Sequence, residues 1–403
     1  MGAPLRAAAA AAATAASAAS STASTFVPRT SFEVSQSIVR TYFLGHHRGA
    51  LSSMQRILSN ISLIIECRDS RVPLTSTNPL LESSLAGRDR IIVYTKSSLS
   101  FPPGANRFKQ KQETLLSKWH AERHGIHSNL APGQALGSGF ASQGGFGRTK
   151  VVFTDKMESK SIQALLDTIK QRAAAADSLT GLRAMVVGMP NAGKSTLLNA
   201  MRRVGMRLPT VARTGSVPGC TRKISSPVRI IAEDTSQGIE QGVFVFDTPG
   251  VFVPYVGDVE SMLKLALVGC VKDSVVPVET VADYLLYHLN LRDPGLYHQL
   301  SPPTNDLFEW LDAVAVRTGK LHKGGVPARE LAADWVVQQW RNGSLGHFGL
   351  DDVGEESLKA WARKGMPGAE DEPLSMNQAR KKDKEARKQK NLAKRAAAAD
   401  GGG

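Results

Sequence analysis

Two kinds of hydrophobic pattern alternate along this chain. Short apolar runs stand at 61–66 ("ISLIIE"), 91–94 ("IIVY"), 151–153, 182–187 ("LRAMVV"), 228–234 ("VRIIAED") and 243–246. A strand covered on both faces is apolar along its length instead of alternating, so these read as buried strands of a mostly parallel sheet. "STLLNAMRR" after the fourth run has helical spacing. From 257 to 350 the period changes. "VESMLKLALVGCVK", "VETVADYLLYHLN", "TNDLFEWLDAVAVRTG" and "ARELAADWVVQQWRNG" repeat apolar residues every three or four positions, with Gly or Pro between them. That pattern predicts four helices. Trp310, Trp335 and Trp340 fall on it and read as core or domain-interface residues, more than as base-stacking ones. The predicted fold is α/β with helices on both faces of the sheet, followed by a small all-helical region. No apolar run is long enough for a spanning helix.

Composition sharpens this picture at the ends. The chain has 403 residues, enough for two or three folded units, and a formal charge of +14. Such an excess favours a polyanionic partner, nucleic acid or an anionic membrane surface. Residues 1–30 are rich in Ala, Ser and Thr, carry Arg6 and Arg29, and have no acid. They read as a mitochondrial transit peptide, against a secretory signal or a plain low-complexity tail. Nine basic residues lie between Arg380 and Arg395, against Asp383 and Glu385. That tail, 353–403, suits phosphate contacts along RNA. Cys67, Cys220 and Cys270 are far apart and odd in number, which suggests a reducing compartment and no disulfide framework.

The chemistry-bearing motifs sit on the predicted strands. "GMPNAGKS", Gly188 to Ser195, follows a strand and opens a helix, the setting of a nucleotide phosphate loop. Its backbone around Asn191, Ala192 and Gly193, with Lys194, Ser195 and Thr196, is expected on the phosphates, Lys194 reaching the β and γ oxygens. "FVFDTPG" ends a second strand: Asp247 and Ser195 are the Mg²⁺ candidates, and Gly250 offers its N–H to the γ-phosphate. Thr221 of "PGCT" is placed to complete the Mg²⁺ shell. A base-reading tetrad normally follows these elements, and none does. It stands ahead of them instead, as Thr95-Lys96-Ser97-Ser98 after "IIVY", and Thr154 and Asp155 occupy the place of a second base-contact loop. A P-loop GTPase domain whose base-reading half precedes its phosphate-binding half is circularly permuted; the ends move and the strands need not. In the tetrad Ser98 replaces the usual aspartate, which removes a charge-assisted contact to the base. Three histidines, His120, His124 and His127, follow at helical spacing, without the acids or cysteines that would complete a metal shell.

At this point the chain resembles the YlqF/RbgA type of circularly permuted GTPases. The resemblance rests on "FLGHHRGALSSMQRILSNISLIIECRDSRVPLTSTNP", "YTKSSL", "GMPNAGKSTLLN", "PGCT", "DTPG", "LALVGCVKDS" and "RTGKLHKGG", and covers roughly residues 40 to 350. With its transit-like start the chain looks most like a mitochondrial member. The resemblance implies binding of GTP and GDP, slow hydrolysis stimulated by the ribosome and K⁺, and a part in assembling the mitochondrial large ribosomal subunit on its rRNA. It further implies a monomer in the matrix, with a peripheral inner-membrane contact. An apolar residue, Val251, stands where other GTPases place glutamine. The family pattern makes His46 the catalytic histidine and Asn191 the K⁺ ligand. The expected organisation is 1–30 transit peptide, 31–256 permuted GTPase domain with a flexible insertion at about 100–149, 257–352 helical domain, and 353–403 basic tail. The alternatives are a nucleotide-dependent rRNA scaffold with little hydrolysis, or an ATP-using protein permitted by Ser98.

Overall fold

The computed structural model describes residues 26–33, 38, 45–123, 149–176, 178, 180–212, 224–253, 255–364, 381, 384 and 385. Thr221, Cys220, His124, His127, the Gly/Ser-rich loop at 132–148 and the tail beyond 364, except 381, 384 and 385, lie outside them.

Among the described residues the strands are β1 (Leu63–Asp69), β2 (Arg90–Thr95), β3 (Thr149–Phe153), β4 (Leu182–Gly188), β5 (Val228–Ile231) and β6 (Val243–Asp247). They form one sheet in the order β3-β2-β1-β4-β6-β5. Only β5 is antiparallel, to β6. Counted from β4 as the first strand, the order becomes 6-5-4-1-3-2. The strands thus keep one unbroken arrangement, and only the chain's starting point has moved. This is the permuted topology that the order of motifs predicts.

Helices α1 (Gly45–Ile57), α2 (Pro79–Ser84) and α3 (Asn106–Arg123) cover one face, and α4 (Ser159–Ala176) and α5 (Lys194–Met206) the other. Successive strand residues point to opposite faces. Ile65, Val93 and Val186 therefore join the α4–α5 core, and their neighbours Ile64 and Met185 pack with Met54 and Leu81. β1 outruns its apolar stretch. Glu66, Arg68 and Asp69 are buried in it, because each is paired: Arg68 with Glu66 at 2.7 Å and Glu82 at 3.0 Å, and Arg90 with Glu66 at 3.1 Å. Cys67 is buried beside them, and burial pushes its thiol up to about 12.

Two stretches are more ordered than the sequence suggests. Residues 106–123, inside the predicted flexible insertion, form α3. Few of its positions are buried, so its period is faint, yet Leu116 and Trp119 anchor it to Ile92 and Tyr94. His120 is buried there with Nε2 2.8 Å from the Tyr94 hydroxyl. Residues 26–30, inside the predicted transit peptide, are fastened by Asn305 donating to the Val27 carbonyl and by an Arg29–Asp283 ion pair at 2.6 Å.

The remaining helices are α6 (Val259–Leu267), α7 (Val278–Arg292), α8 (Leu307–Thr318), α9 (Arg329–Arg341) and α10 (Glu355–Lys364). The chain divides into two compact units, 1–33 with 283–332, and 34–282 with 333–403. In the smaller, Asp306 caps α8 through the N–H groups of Phe308 and Glu309, and Trp310 is buried edge-on to Tyr297, with ring centroids 5.7 Å apart. The larger holds the sheet, and its C-terminal part returns to the end of β1. Asp351 accepts from the Leu74 and Thr75 N–H groups at 2.9 and 2.8 Å and from the Thr75 hydroxyl at 2.6 Å. Asp351→Ala leaves two backbone donors unsatisfied in a largely buried place, and we expect it to lower unfolding stability by about 3 kcal/mol. A denaturant titration showing a loss below about 0.5 kcal/mol would show that this tie does not hold the loop.

Candidate nucleotide site

The carboxyl ends of β1, β2, β4 and β6 share one edge of the sheet, with Asp69 level with Thr95, Cys67 with Gly188, and Val186 with Asp247. Ligands of open α/β sheets bind at that edge. Here β4 turns through 189–193 into α5, whose first-turn N–H groups lack intrahelical partners and favour an anion. Lys194 is buried at the helix start. Its ammonium donates to the Met189 carbonyl at 2.7 Å and the Gly188 carbonyl at 3.3 Å. Burial pushes its pKa down, and the Asp247 carboxylate opposes that shift. A phosphate group would relieve the same burial cost by supplying negative charge.

Ser195 and Asp247 meet. The Ser195 hydroxyl donates to Asp247 Oδ2 at 2.5 Å, and the Asp247 N–H donates to the Ser225 hydroxyl at 2.9 Å. Among the described residues no group of three or more His, Cys, Asp or Glu could hold a metal. One hydroxyl and one carboxylate beside a phosphate cradle suit Mg²⁺, which keeps waters and substrate oxygens in its shell. Gly250 crosses directly over the loop. A Cβ there would lie 2.6 Å from Pro190 Cα, so no other residue fits without displacing backbone. Beyond it, the Val251 N–H donates to the Gly188 carbonyl at 3.1 Å, and its carbonyl accepts from Asn78 Nδ2 at 2.8 Å. His47 Nδ1 lies 3.0 Å from the Gly250 carbonyl, an arrangement that requires the proton on Nδ1. The backbone of His46 lies in α1; its side chain lies outside the described residues.

The tetrad closes on this loop. The Thr95 hydroxyl donates to the Ala192 carbonyl at 2.8 Å. Lys96 adopts φ 57°, and its ammonium donates to the Asn191 carbonyl at 2.9 Å and to Asp69 Oδ2 at 2.7 Å. Gly193, at φ 86°, would bring a Cβ to 3.2 Å from Thr95 Oγ1. One cavity of about 390 Å³ runs between the two elements, lined by Thr95, Lys96, Ser98, Thr154 and Asp155 at one end. Asn191, Gly193, Lys194, Ser195, Thr196 and Gly250 line the other. Ala192 is buried beneath, contributing its carbonyl to Thr95. The structure thus brings the predicted residues together, with Thr221 and the His46 side chain outside what it describes.

The charges of "CRDSRVP" have no role that the sequence alone announces. Asp69 is fully buried. Burial alone would raise its pKa, but Arg71 and Lys96 outweigh it and hold its carboxyl well below the usual range. Arg71 binds Asp69 through Nε at 3.0 Å and Nη2 at 2.8 Å, stacks 4.7 Å above the Trp340 ring, and donates to the Arg341 carbonyl. Arg341 then caps α6 by donating to the Leu267 and Ala266 carbonyls, and it lines the cavity. The Asn191 side chain reaches the same turn, donating to the Gly269 carbonyl at 2.8 Å. The available signal was two opposite charges spaced i, i+2 at the end of a buried strand, a place where unpaired charge is costly.

Residues 183–314 match the family model described as 50S ribosome-binding GTPase. Mitochondrial GTPase 1 of Schizosaccharomyces pombe is 36% identical over 335 residues, covering 83% of this chain and 95% of that protein. Mitochondrial ribosome-associated GTPase 1 of Bos taurus is 30% identical, over 80% of this chain and 92% of that protein. The GNP-bound crystal structure of YlqF from T. maritima covers 76% of this chain and 98% of its own, at 19% identity and a TM-score of 0.45. This chain belongs to the circularly permuted GTPase family that includes mitochondrial GTPase 1 and mitochondrial ribosome-associated GTPase 1.

Proposed function

We propose that the protein is a mitochondrial GTPase that binds GTP, hydrolyses it slowly, and uses the nucleotide state to time assembly of the large mitochondrial ribosomal subunit. The observation that carries this reading is the closure of tetrad on phosphate loop: Thr95 on Ala192 and Lys96 on Asn191, around one cavity. A purine nucleotide spans such a cavity, base at Thr95–Ser98 and phosphates at Lys194.

Transfer of the γ-phosphoryl group to water needs positioning and charge stabilisation more than covalent chemistry. Lys194 supplies a fixed charge at the β and γ oxygens, and Gly250 its N–H at the γ-phosphate. Ser195 and Asp247 would hold Mg²⁺, with Thr221 as the further ligand; the ion neutralises charge on the phosphates. Val251 and Phe252 are fully buried and offer no side-chain polar group to orient water. Orientation is left to His46, to K⁺ held by Asn191, and to the ribosome, which makes the free enzyme slow.

The switch also has an output. Gly250 contacts the γ-phosphate in this reading, and the chain from it enters α6 without another strand. The end of α6 is gripped by Arg341, and the turn after it by Asn191 of the phosphate loop. Loss of the γ-phosphate therefore bears on α6 and on 333–341, which would present or withdraw a ribosome-binding surface. The charge of +14 and the basic tail supply affinity for rRNA, and the relatives' mitochondrial names agree with the transit-like start. A peripheral contact with the matrix face of the inner membrane and a monomeric state complete the proposal.

Lys194→Ala and Thr221→Ala should abolish GTP hydrolysis while circular dichroism shows an intact fold. Normal turnover by Thr221→Ala would remove that residue from the Mg²⁺ shell. In single-turnover assays at saturating K⁺, large mitochondrial subunits should accelerate hydrolysis by about tenfold or more. No acceleration would replace the timing switch by a nucleotide-dependent RNA scaffold.

A further inference from the structure

The tetrad of this chain ends in Ser98, where a base-reading carboxylate is expected, yet the cavity does hold a carboxylate. Asp155, at the end of β3, lines the same end of it and is 6% exposed. Its Oδ2 accepts from the Ser98 hydroxyl at 2.5 Å, and its Oδ1 accepts from the Met157 N–H at 2.8 Å. β3 is held in place by the Thr154 N–H donating to the Tyr94 carbonyl and the Ser97 N–H donating to the Thr154 carbonyl. Among the described residues Asp155 has no ion-pair partner. It is a nearly buried carboxylate whose described donors are neutral, facing a cavity that takes a nucleotide.

We propose that Asp155 is the base-reading residue of this enzyme and that Ser98 positions it, so that guanine recognition has moved from the fourth tetrad position to the neighbouring loop. The proposal rests on the nucleotide-site reading above. A serine alone can donate or accept, and so cannot separate guanine from adenine. The bond to Asp155 removes that ambiguity. With its proton committed to Oδ2, Ser98 presents only oxygen lone pairs, and the carboxylate is acceptor-only by nature. The pair therefore forms an acceptor surface. Guanine offers two matching donors on one edge, N1–H and the N2 amino group. Adenine presents the lone pair of N1 there and is repelled. The turn bond to Met157 explains only Oδ1, whereas Ser98 holds Oδ2, the oxygen nearest the tetrad.

The test is competition against a fluorescent GDP analogue bound to the full chain, titrated with GDP, ADP and xanthosine diphosphate. Wild type should prefer GDP over ADP by about tenfold or more. Asp155→Asn keeps the acceptor for the Met157 N–H and replaces one acceptor by an amide donor. It should weaken GDP by about tenfold or more and turn the preference toward xanthosine diphosphate, whose O2 carbonyl accepts from that donor. Ser98→Ala should lower the GDP-to-ADP ratio and Ser98→Thr restore it, a readout that mere structural support would leave unchanged. Ser98→Asp combined with Asp155→Ser should recover guanine preference by returning the carboxylate to the tetrad, which covers the case in which Asp155→Asn misfolds. An unchanged guanine-to-xanthine ratio in Asp155→Asn, or a wild type that takes GDP and ADP alike, overturns this assignment and leaves the phosphate site standing. A wild type that binds no nucleotide overturns the function proposed above, and this assignment with it.

Discussion

Asp69 is the constraint on which the site depends. Its carboxylate is fully buried at the end of a central strand, where a lone charge would be untenable, and it is satisfied by Arg71 on one side and Lys96 on the other. Both partners do further work. Lys96 carries the pairing to the phosphate loop at Asn191, and Arg71 carries it to Trp340 and the Arg341 carbonyl. One buried anion thus sets the distance between base loop, phosphate loop and C-terminal helices. The left-handed backbone of Lys96 is tolerable in this setting, since two fixed partners, Asp69 and the Asn191 carbonyl, hold its side chain in place.

Permutation gives that anion its position. β1, first in the sequence, lies between β2 and β4 in the sheet. Its carboxyl end therefore faces the base loop and the phosphate loop at once. The two halves of the pocket are distant in sequence, and their registration is secured across space by Thr95 on Ala192 and Lys96 on Asn191. Moving the chain ends also leaves β6 as the last strand, so the segment after Gly250 leads straight into α6.

The parts legible in the sequence were those with a strong local signature. Buried parallel strands are continuous apolar runs, and the phosphate loop and "DTPG" are contiguous words, so the strands and the permuted order of these motifs are legible directly. What escaped was held by long-range pairing or by few contacts. β1 extends through Glu66, Arg68 and Asp69 only because partners at 71, 82, 90 and 96 neutralise them. α3 is polar over most of its length and is fixed by a handful of side chains such as Leu116 and Trp119. Arg341 reaches the pocket from the far end of the chain, and no local pattern around it announces that role. Ser98 reads as a loss because its partner Asp155, 57 residues away, meets it only in three dimensions.

Val251 is held at three points. Its side chain belongs to the core beneath α1 and α2, its N–H is bonded to the phosphate loop at Gly188, and its carbonyl is held by Asn78. A residue fixed at all three points cannot swing to orient water, as a glutamine in a mobile switch does. The same three ties make it a strut. A displacement at Gly250 would bear on Gly188, on Asn78 at the cap of α2, and on the core that carries α1. An apolar anchor at this position therefore ties the segment after Gly250 to the sheet through core, backbone donor and backbone acceptor at once.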